Sequence, residues 1–478
     1  MITRETLSNY FHCDISEFGF QDLHDLVISK NNCVLCGTCL SICPRIGIKE
    51  NQPSLLDYDP ECSLCYKYCA KTYFPEKFFE KEIFTEHSNK DPLIGYYQKV
   101  IAAKSTDETI LNLCQNGGIV TTLLIHALNK GLIDGALLTG KDEEWKPKPI
   151  IARTSKEILE AAGSIYALAP TLLSYKDVIN KYKLKRLAFV GMPCQIQATR
   201  KLQFFPPLSD EYGKFALVIG LYCTSNYSYD SMKEIIQKEL EIPINLVKKI
   251  DISHGKFIVY TKDEIHKEIP ITKIKKYTWS SCQYCKDYTA EFSDISIGSI
   301  GSQENTWNSV IIRSDVGMNI FNDALNSKKI ITSNQIDISQ IKNMSLRKKL
   351  KIIKINEKVI SALQLFNVPK LEAQIYATLL SLENADLSML TTVMKREANE
   401  IQNSLNILKQ RKWILSINGF YKPNNPVKVF KEEIKRLKEK FNNDLNKFKS
   451  EAFKELETIY IKNNLKNVKY NEFIDVFF

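Results

Sequence analysis

Seven cysteines lie between residues 33 and 69, and their spacing is suited to iron–sulfur chemistry. The run Cys33-x2-Cys36-x2-Cys39-x3-Cys43-Pro44 places three thiolates around one face of a cubane cluster and sends the fourth to a neighbouring cluster. Gly37 and Pro44 suit a tight backbone whose N–H groups must approach the sulfurs. An all-thiolate zinc site is the competing reading, but zinc ligands favour two separated pairs. The second half is incomplete. Cys62-x2-Cys65-x3-Cys69 matches the last three positions of such a run, and the first position falls on Asp59. A two-cluster ferredoxin arrangement would give one [4Fe–4S] cluster to Cys33, Cys36, Cys39 and Cys69. The other would take Cys43, Cys62 and Cys65, with Asp59, water or nothing as fourth ligand. A harder oxygen ligand or a missing iron would change that cluster's potential and lability. One cluster plus spare thiols is the plainer alternative.

Further along, the cysteines are scattered: Cys194 in GMPCQ, Cys223 in GLYC, and Cys282 with Cys285 in SSCQYCKD. Two of them follow directly on buried-strand patterns, and strand ends are where α/β sheets place ligands. Four thiolates are the complement of one more [4Fe–4S] cluster, although an isolated buried cysteine is more often a small core residue.

The elements that must position these groups follow from the hydrophobic pattern. KVIAAK and GALLTG read as strands with a helix from Gly117 to Leu132 between them. LAFVGM and ALVIGLYC are buried-strand runs with QIQATRKL and SMKEIIQKEL as helical partners. The expected organisation is a ferredoxin-like α+β cluster domain over 1–95 and an α/β core over 96–334. A lysine-rich linker over 335–358, a winged helix over 359–425 and a long helix over 426–478 would follow. No internal repeat stands out beyond the cysteine region.

Length and composition agree with this reading. A chain of 478 residues exceeds what one core supports, and 44% hydrophobic with 25% charged residues is ordinary for a soluble protein. No apolar run approaches a membrane span, and the first residues lack the pattern of a signal peptide, so a cytoplasmic location is expected. Thirteen cysteines in a reducing compartment point to ligands or catalytic thiols rather than disulfides. The net charge of +10 permits binding of nucleic acid or an acidic cofactor without requiring it.

The stretches CQNGGIVTTLLIHALNKGLIDGALL, GSIYALAP, FVGMPCQIQATRKL, GLYCTSN and SCQYCKDYTAEFSDISIGSIGS, followed by WNSVIIRSDVG, resemble the beta subunit of the coenzyme F420-reducing hydrogenase and its relatives. Those relatives include subunits of formate dehydrogenase and sulfite reductase, and several carry a ferredoxin-like segment in front. The resemblance covers about 98–329. It implies an FAD enzyme that exchanges hydride with the deazaflavin coenzyme F420 and wires the flavin to a [4Fe–4S] cluster in the same domain. Carried over by position, Cys194, Cys223, Cys282 and Cys285 would be the ligands, for two or three clusters in all. Asn116, Gly117, Gly118 and Thr121 would lie against the cofactor, where glycines and a helix N-terminus suit a phosphate. The chain departs from the pattern at Gly298-Ser299, where many relatives are acidic, and at Cys114-Gln115, which leaves the choice between a deazaflavin and a nicotinamide donor open. Hydride transfer carried by cofactors calls for no catalytic acid or base, so His126 and His254 read as helix and turn residues.

The segment from Pro369 to Pro423 reads as three short helices, Leu371–Leu382, Leu387–Met394 and Glu397–Arg411, and a hairpin turning at Asn418-Gly419. It resembles the DNA-binding domain of TrmB-type regulators of archaea. The third helix would offer Asn399, Gln402, Asn403, Asn406 and Lys409 to DNA, or the module would dock a protein. Phe430, Ile434, Leu437, Phe441, Leu445 and Phe448 repeat near heptad spacing, as in a homodimer seam. The expected function is therefore an oxidoreductase passing electrons from coenzyme F420 through FAD and clusters to a protein acceptor or partner subunit. A redox-responsive DNA-binding regulator is the alternative.

Overall fold

The structure is a computed structural model, and it describes residues 18–57, 62–302, 306–351, 357–382, 384–417 and 419–463. Two compact units divide the chain, one through Ile352 and one from Ile353.

In the first unit the cysteine-rich stretch contributes two short helices, α1 (Thr38–Ile42) and α2 (Leu64–Tyr68), and the hairpin β1 (Ile46–Lys49) with β2 (Gln52–Leu55). The central eight-stranded sheet then begins with β3 (Lys99–Ser105), followed by helix α3 (Ile119–Asn129), β4 (Gly135–Lys141) and β5 (Pro147–Ala152). Next come β6 (Arg186–Gly191), helix α4 (Pro193–Phe204) and β7 (Lys214–Leu221). A small antiparallel sheet of β8 (Val247–Ser253), β9 (Lys256–Thr261) and β10 (His266–Pro270) leads toward the Cys282 loop. The chain returns to the main sheet with β11 (Ile295–Gly298) and β12 (Asn308–Ile312), passes through helix α5 (Asp315–Asn326), and adds β13 (Ile330–Ser333).

Strand order in the main sheet is β13-β3-β12-β11-β7-β6-β4-β5. The four central strands β11, β7, β6 and β4 are parallel, and the flanking pairings are antiparallel. A sheet covered on both faces explains why these strands read as continuous apolar runs. On one face Leu123, Leu124 and Ala127 of α3 and Phe321 of α5 cover Ala188, Leu217 and Ile295. On the other, Ile196 and Leu202 of α4 share a core with Phe189, Phe215 and Val218, and with Val34, Ile42, Tyr68, Phe78 and Phe79 from the cysteine-rich stretch. Val34, Ile42, Tyr68, Phe78 and Phe79 are thus buried on the sheet across the boundary expected at residue 95, while Leu40, Ile46 and Cys65 form a smaller core of their own with Leu23, Val27 and Ile28.

The linker expected over 335–358 is corrected in its first half. Ile338–Leu350 is a helix, α6, capped by Asp337 and buried at Ile341, Ser345, Leu346 and Lys348. Its lysine-rich composition hides a packed face, because Lys348 and Lys349 are consumed by hydrogen bonds inside the first unit.

The second unit comprises helices α7 (Glu357–Gln364), α8 (Lys370–Leu382), α9 (Leu387–Met394) and α10 (Ala398–Gln410), followed by the hairpin β14 (Ile414–Ile417) and β15 (Phe420–Pro423). Asn418, expected in the turn, lies outside the described residues. Helix α11 (Pro426–Lys447) continues through a wider turn, Phe448–Phe453, into α12 (Lys454–Asn463). Trp413 is fully buried, packs edge-on to Tyr376 and Phe430, and donates Nε1–H to Glu433 at 2.8 Å. Phe430 thus belongs to this core rather than to a seam.

Candidate functional site

Two turns bring the N-terminal thiols together. Cys33, Cys36, Cys39 and Cys69 lie close together: Cys36 and Cys69 raise the Cys33 and Cys39 thiols, and Cys36 raises that of Cys69. Burial is the larger cause, and it pushes the Cys33 thiol up to about 12. Cys65 is likewise pushed up to about 12, first by burial and then by Cys43 and Cys62. The grouping therefore crosses over: α1 separates Cys39 from Cys43, and α2 separates Cys65 from Cys69. Asp59 lies outside the described residues. All of these cysteines are free thiols. Buried thiolates set so close together are costly unless a metal takes the place of their protons.

Backbone donors already face these sulfurs. Leu35 N–H donates to Cys33 Sγ and Lys71 N–H to Cys69 Sγ, each at 3.4 Å, and Thr38 Oγ1 lies 3.4 Å from Cys36 Sγ. Gly37 has φ +91°, and a Cβ there would fall 2.6 Å from the Pro170 carbonyl oxygen. Leu172 N–H donates to Cys36 O at 3.0 Å, so the glycine serves the seam with the α/β sheet as well as the loop. Lys201 of α4, almost fully buried, donates to Cys69 O at 2.6 Å and Lys67 O at 3.0 Å.

The third group forms at the carboxyl ends of adjacent parallel strands. Cys194 follows β6 at the start of α4, and Cys223 follows β7. The 3-10 turn Ser280–Tyr284 brings Cys282 and Cys285 to the same pocket, which Met192, Trp279 and Lys348 also line. Burial pushes the Cys223 thiol up to about 12, with Cys282 and Cys285 adding to it. Cys194 is raised by burial and by the other three thiols. Among the described residues no three His, Cys, Asp or Glu side chains close on a single-ion point. A cubane takes each thiolate on a different iron and needs no such point.

This pocket abuts the Cys33 group. Val34 lines it, Trp279 Nε1–H donates to Cys33 O at 2.7 Å, and Lys71, whose amide meets Cys69 Sγ, acts electrostatically on Cys194 and Cys282.

At Asn116, Gly117, Gly118 and Thr121 the glycines also serve the packing of the protein itself. A Cβ at Gly117 would lie 2.7 Å from both Ala103 O and Asn308 N, so this glycine lets the loop dock on β3 and β12. Gly118, at φ +71°, is the left-handed N-cap of α3 and supplies no capping side chain. Thr121 is buried. An anionic group there would meet the N-terminus of α3, whose first N–H is already taken by Asn308, with Lys104 and Lys249 near Cys114. From there a chain of contacts leads to the third thiol group. Ile119 N–H donates to Asn308 Oδ1, Asn308 Nδ2 donates to Gly298 O, and the Tyr222 ring lies where a Gly298 side chain would be. Tyr222 immediately precedes Cys223. His126 is buried with Nε2 2.7 Å from Asp323, and His254 sits in the turn between β8 and β9 at φ +48°.

Sequence reasoning missed the lysines. Lys71, Lys201 and Lys348 carry no motif, and only the fold shows that they converge on thiols.

In the second unit Ile401, Leu405 and Leu408 of α10 are buried while Asn399, Asn403, Asn406 and Lys409 are exposed. Gln402 is held by Tyr421 OH and Asn406. Arg411 turns inward, donating to Phe366 O and Asn367 O and pairing with Glu433 at 3.4 Å.

Two family models match the chain: the N-terminal part of the coenzyme F420 hydrogenase/dehydrogenase beta subunit over 100–175, and its C-terminal part over 184–338. The coenzyme F420 hydrogenase subunit beta of Methanothermobacter thermautotrophicus is 40% identical over 235 residues, which is 49% of this chain and 83% of that one. The coenzyme F420-dependent sulfite reductase of Methanocaldococcus jannaschii is 32% identical over 357 residues, 70% of this chain and 53% of the relative. Among solved structures, a chain of the F420-reducing [NiFe] hydrogenase complex from Methanosarcina barkeri matches with TM-score 0.53 and 35% identity, over 58% of this chain and 96% of that chain.

Proposed function

The chain belongs to the coenzyme F420 hydrogenase/dehydrogenase beta-subunit family, and from that premise we propose that it is an iron–sulfur flavoprotein oxidoreductase that takes hydride from reduced coenzyme F420. The observation that carries the reading is the convergence of Cys194, Cys223, Cys282 and Cys285 beside the Cys33 group. Those four would hold one [4Fe–4S] cluster. Cys33, Cys36, Cys39 and Cys69 would hold a second, and Cys43, Cys62 and Cys65, with Asp59 or an exogenous ligand, a third. When bound, FAD accepts a two-electron hydride and releases electrons one at a time to clusters that carry one each. The α3 N-terminus, Lys104 and Lys249 would hold its phosphates. The burial of the thiols keeps water from the electron path, and the Cys43 group would face the external acceptor, a partner oxidoreductase subunit or another protein. Among the described residues no helix is long and apolar enough to cross a membrane.

The test is anaerobic purification with iron, sulfide and flavin analysis, followed by mixing with reduced coenzyme F420, NADH and NADPH in turn. FAD with eight or more irons per chain, and bleaching by reduced F420, is the expected outcome; zinc in place of iron would overturn the reading.

A second role belongs to the other unit. The helices α8, α9 and α10 with the β14–β15 hairpin have the order of a winged helix, and the exposed polar side of α10 supports DNA contact, which would make the redox core a sensor. Arg411 is removed from that surface by its internal bonds, which leaves Lys409 and the exposed asparagines. DNA affinity should fall steeply with salt, and Lys409→Gln should lower the slope by about one. No binding at low salt in either redox state would leave docking of a protein partner. The exposed apolar residues of α11 support a homodimer.

A further inference from the structure

We propose that Lys348 is the counter-cation of the site formed by Cys194, Cys223, Cys282 and Cys285, and that α6 thereby sets the reduction potential of the cluster held there. The proposal rests on the cluster reading above. Lys348 is 2% exposed, and its Nζ donates to Cys223 O at 2.5 Å and reaches Cys285. A lysine buried to this degree needs an anion, because desolvation of an unpaired ammonium costs several kcal/mol.

Of the nearby carboxylates, buried Asp287 acts on Lys348 only from beyond ion-pair distance, and Glu291 is otherwise engaged. Glu291 is taken by Lys349 at 3.0 Å, and Asp287 Oδ2 accepts the Glu291 N–H at 3.0 Å. Among the described residues no carboxylate lies within ion-pair distance of Lys348. The Cys223 carbonyl and the Cys285 thiol are what the ammonium touches, and Asp287 adds a more distant negative charge.

The position is fixed from several sides. Asp337 caps α6, Ser345 Oγ donates to Leu93 O, Lys349 Nζ donates to Pro92 O at 2.7 Å, and Lys342 pairs with Asp91 at 2.5 Å. The matched family region ends at 338, so nearly all of this helix lies beyond it. Adding one electron to a site that is already anionic is opposed by its own charge, and an adjacent buried ammonium offsets that opposition.

The experiment is a redox titration of the anaerobic holoprotein followed by electron paramagnetic resonance, for wild type, Lys348→Met and Lys348→Arg. The site's signal is first assigned as the one lost in Cys282→Ser. Lys348→Met should lower its midpoint by at least the equivalent of tenfold in the reduction equilibrium, about 59 mV for one electron. The signals of the Cys33 and Cys43 groups should not move, and Lys348→Arg should restore most of the shift. Loss of the cluster in Lys348→Met with retention in Lys348→Arg would equally support a required positive charge. An unchanged midpoint in Lys348→Met, or loss in both variants, would overturn the proposal. Absence of any wild-type signal that depends on Cys282 would instead overturn the cluster reading itself.

Discussion

At the scale of single residues, the thiols and the groups that surround them make different demands on the sequence. Cys282→Ser replaces a soft thiolate with a hard, poorly ionised hydroxyl, so iron content should drop by about four atoms per chain while the signals of the Cys33 and Cys43 groups persist. Survival of every cluster signal would show that the four-cysteine site is misassigned. Gly37→Ala tests the other side of the matter. Its Cβ would meet the Pro170 carbonyl at 2.6 Å on a backbone at φ +91°, so a loss on the order of 2 kcal/mol or more is expected. That loss should appear in denaturant unfolding of the first unit, together with reduced iron retention. The grouping of the N-terminal cysteines was legible in the sequence because their spacing is local, whereas Cys194 and Cys223 come together with Cys282 and Cys285 only through the fold. Lys71, Lys201 and Lys348 were not legible, because an electrostatic partner can arrive from any element the fold brings near. The double glycine was legible as a special backbone, but its task at Gly117, close approach to β3 and β12, depends on a strand pairing that no local signal records.

At the scale of elements, apolar runs and helical periodicity located the strands and helices of the α/β core, since a parallel sheet covered on both faces leaves long apolar runs. The same reasoning failed for 338–350, the first half of the expected linker. Helix α6 presents lysines to buried carbonyls and thiols, and a count of charges reads such a helix as solvated. Arg411 failed in the same way: placed next to a candidate recognition helix it suggests phosphate contact, yet it fastens the α7–α8 turn to Glu433. Glu433 is the centre of that arrangement, 4% exposed and bonded to Trp413, Arg411 and Arg436. Glu433→Ala leaves a partly buried arginine and a buried indole N–H without their anion. It should therefore cost the second unit about 3–5 kcal/mol, read as a lowered midpoint for that unit's transition in calorimetry or urea. Iron content and flavin reduction by the first unit should be unaffected. A Glu433→Ala protein as stable as wild type would show that Arg411 finds solvent, which would return it to the surface available for DNA.

At the scale of the whole molecule, the candidate cluster cysteines all fall in the first compact unit, and the second carries no cysteine. Electron transfer and the C-terminal module are thus separable by experiment, and the tail helix offers the means. Ile434, Phe441 and Phe448 recur every seven residues and are 46%, 66% and 38% exposed, whereas Phe430 and Glu433 are committed to the core of the second unit. Apolar side chains that repeat at this interval on one helix are covered most simply by the same helix of a second copy, packed knobs-into-holes. Lysine at two of these positions, F441K/F448K, would bring four charges into a dimer seam while touching nothing in the monomer's core. Sedimentation velocity on the anaerobic full-length protein should then show a dimer for wild type and a monomer for the double variant. Reduction by coenzyme F420 should be unchanged between them, because the residues proposed to hold clusters and flavin lie in the first unit. A wild-type protein that is monomeric at micromolar concentration would sink the seam and leave the exposed phenylalanines to another partner. A double variant that loses flavin reduction along with the dimer would show instead that assembly completes the redox site.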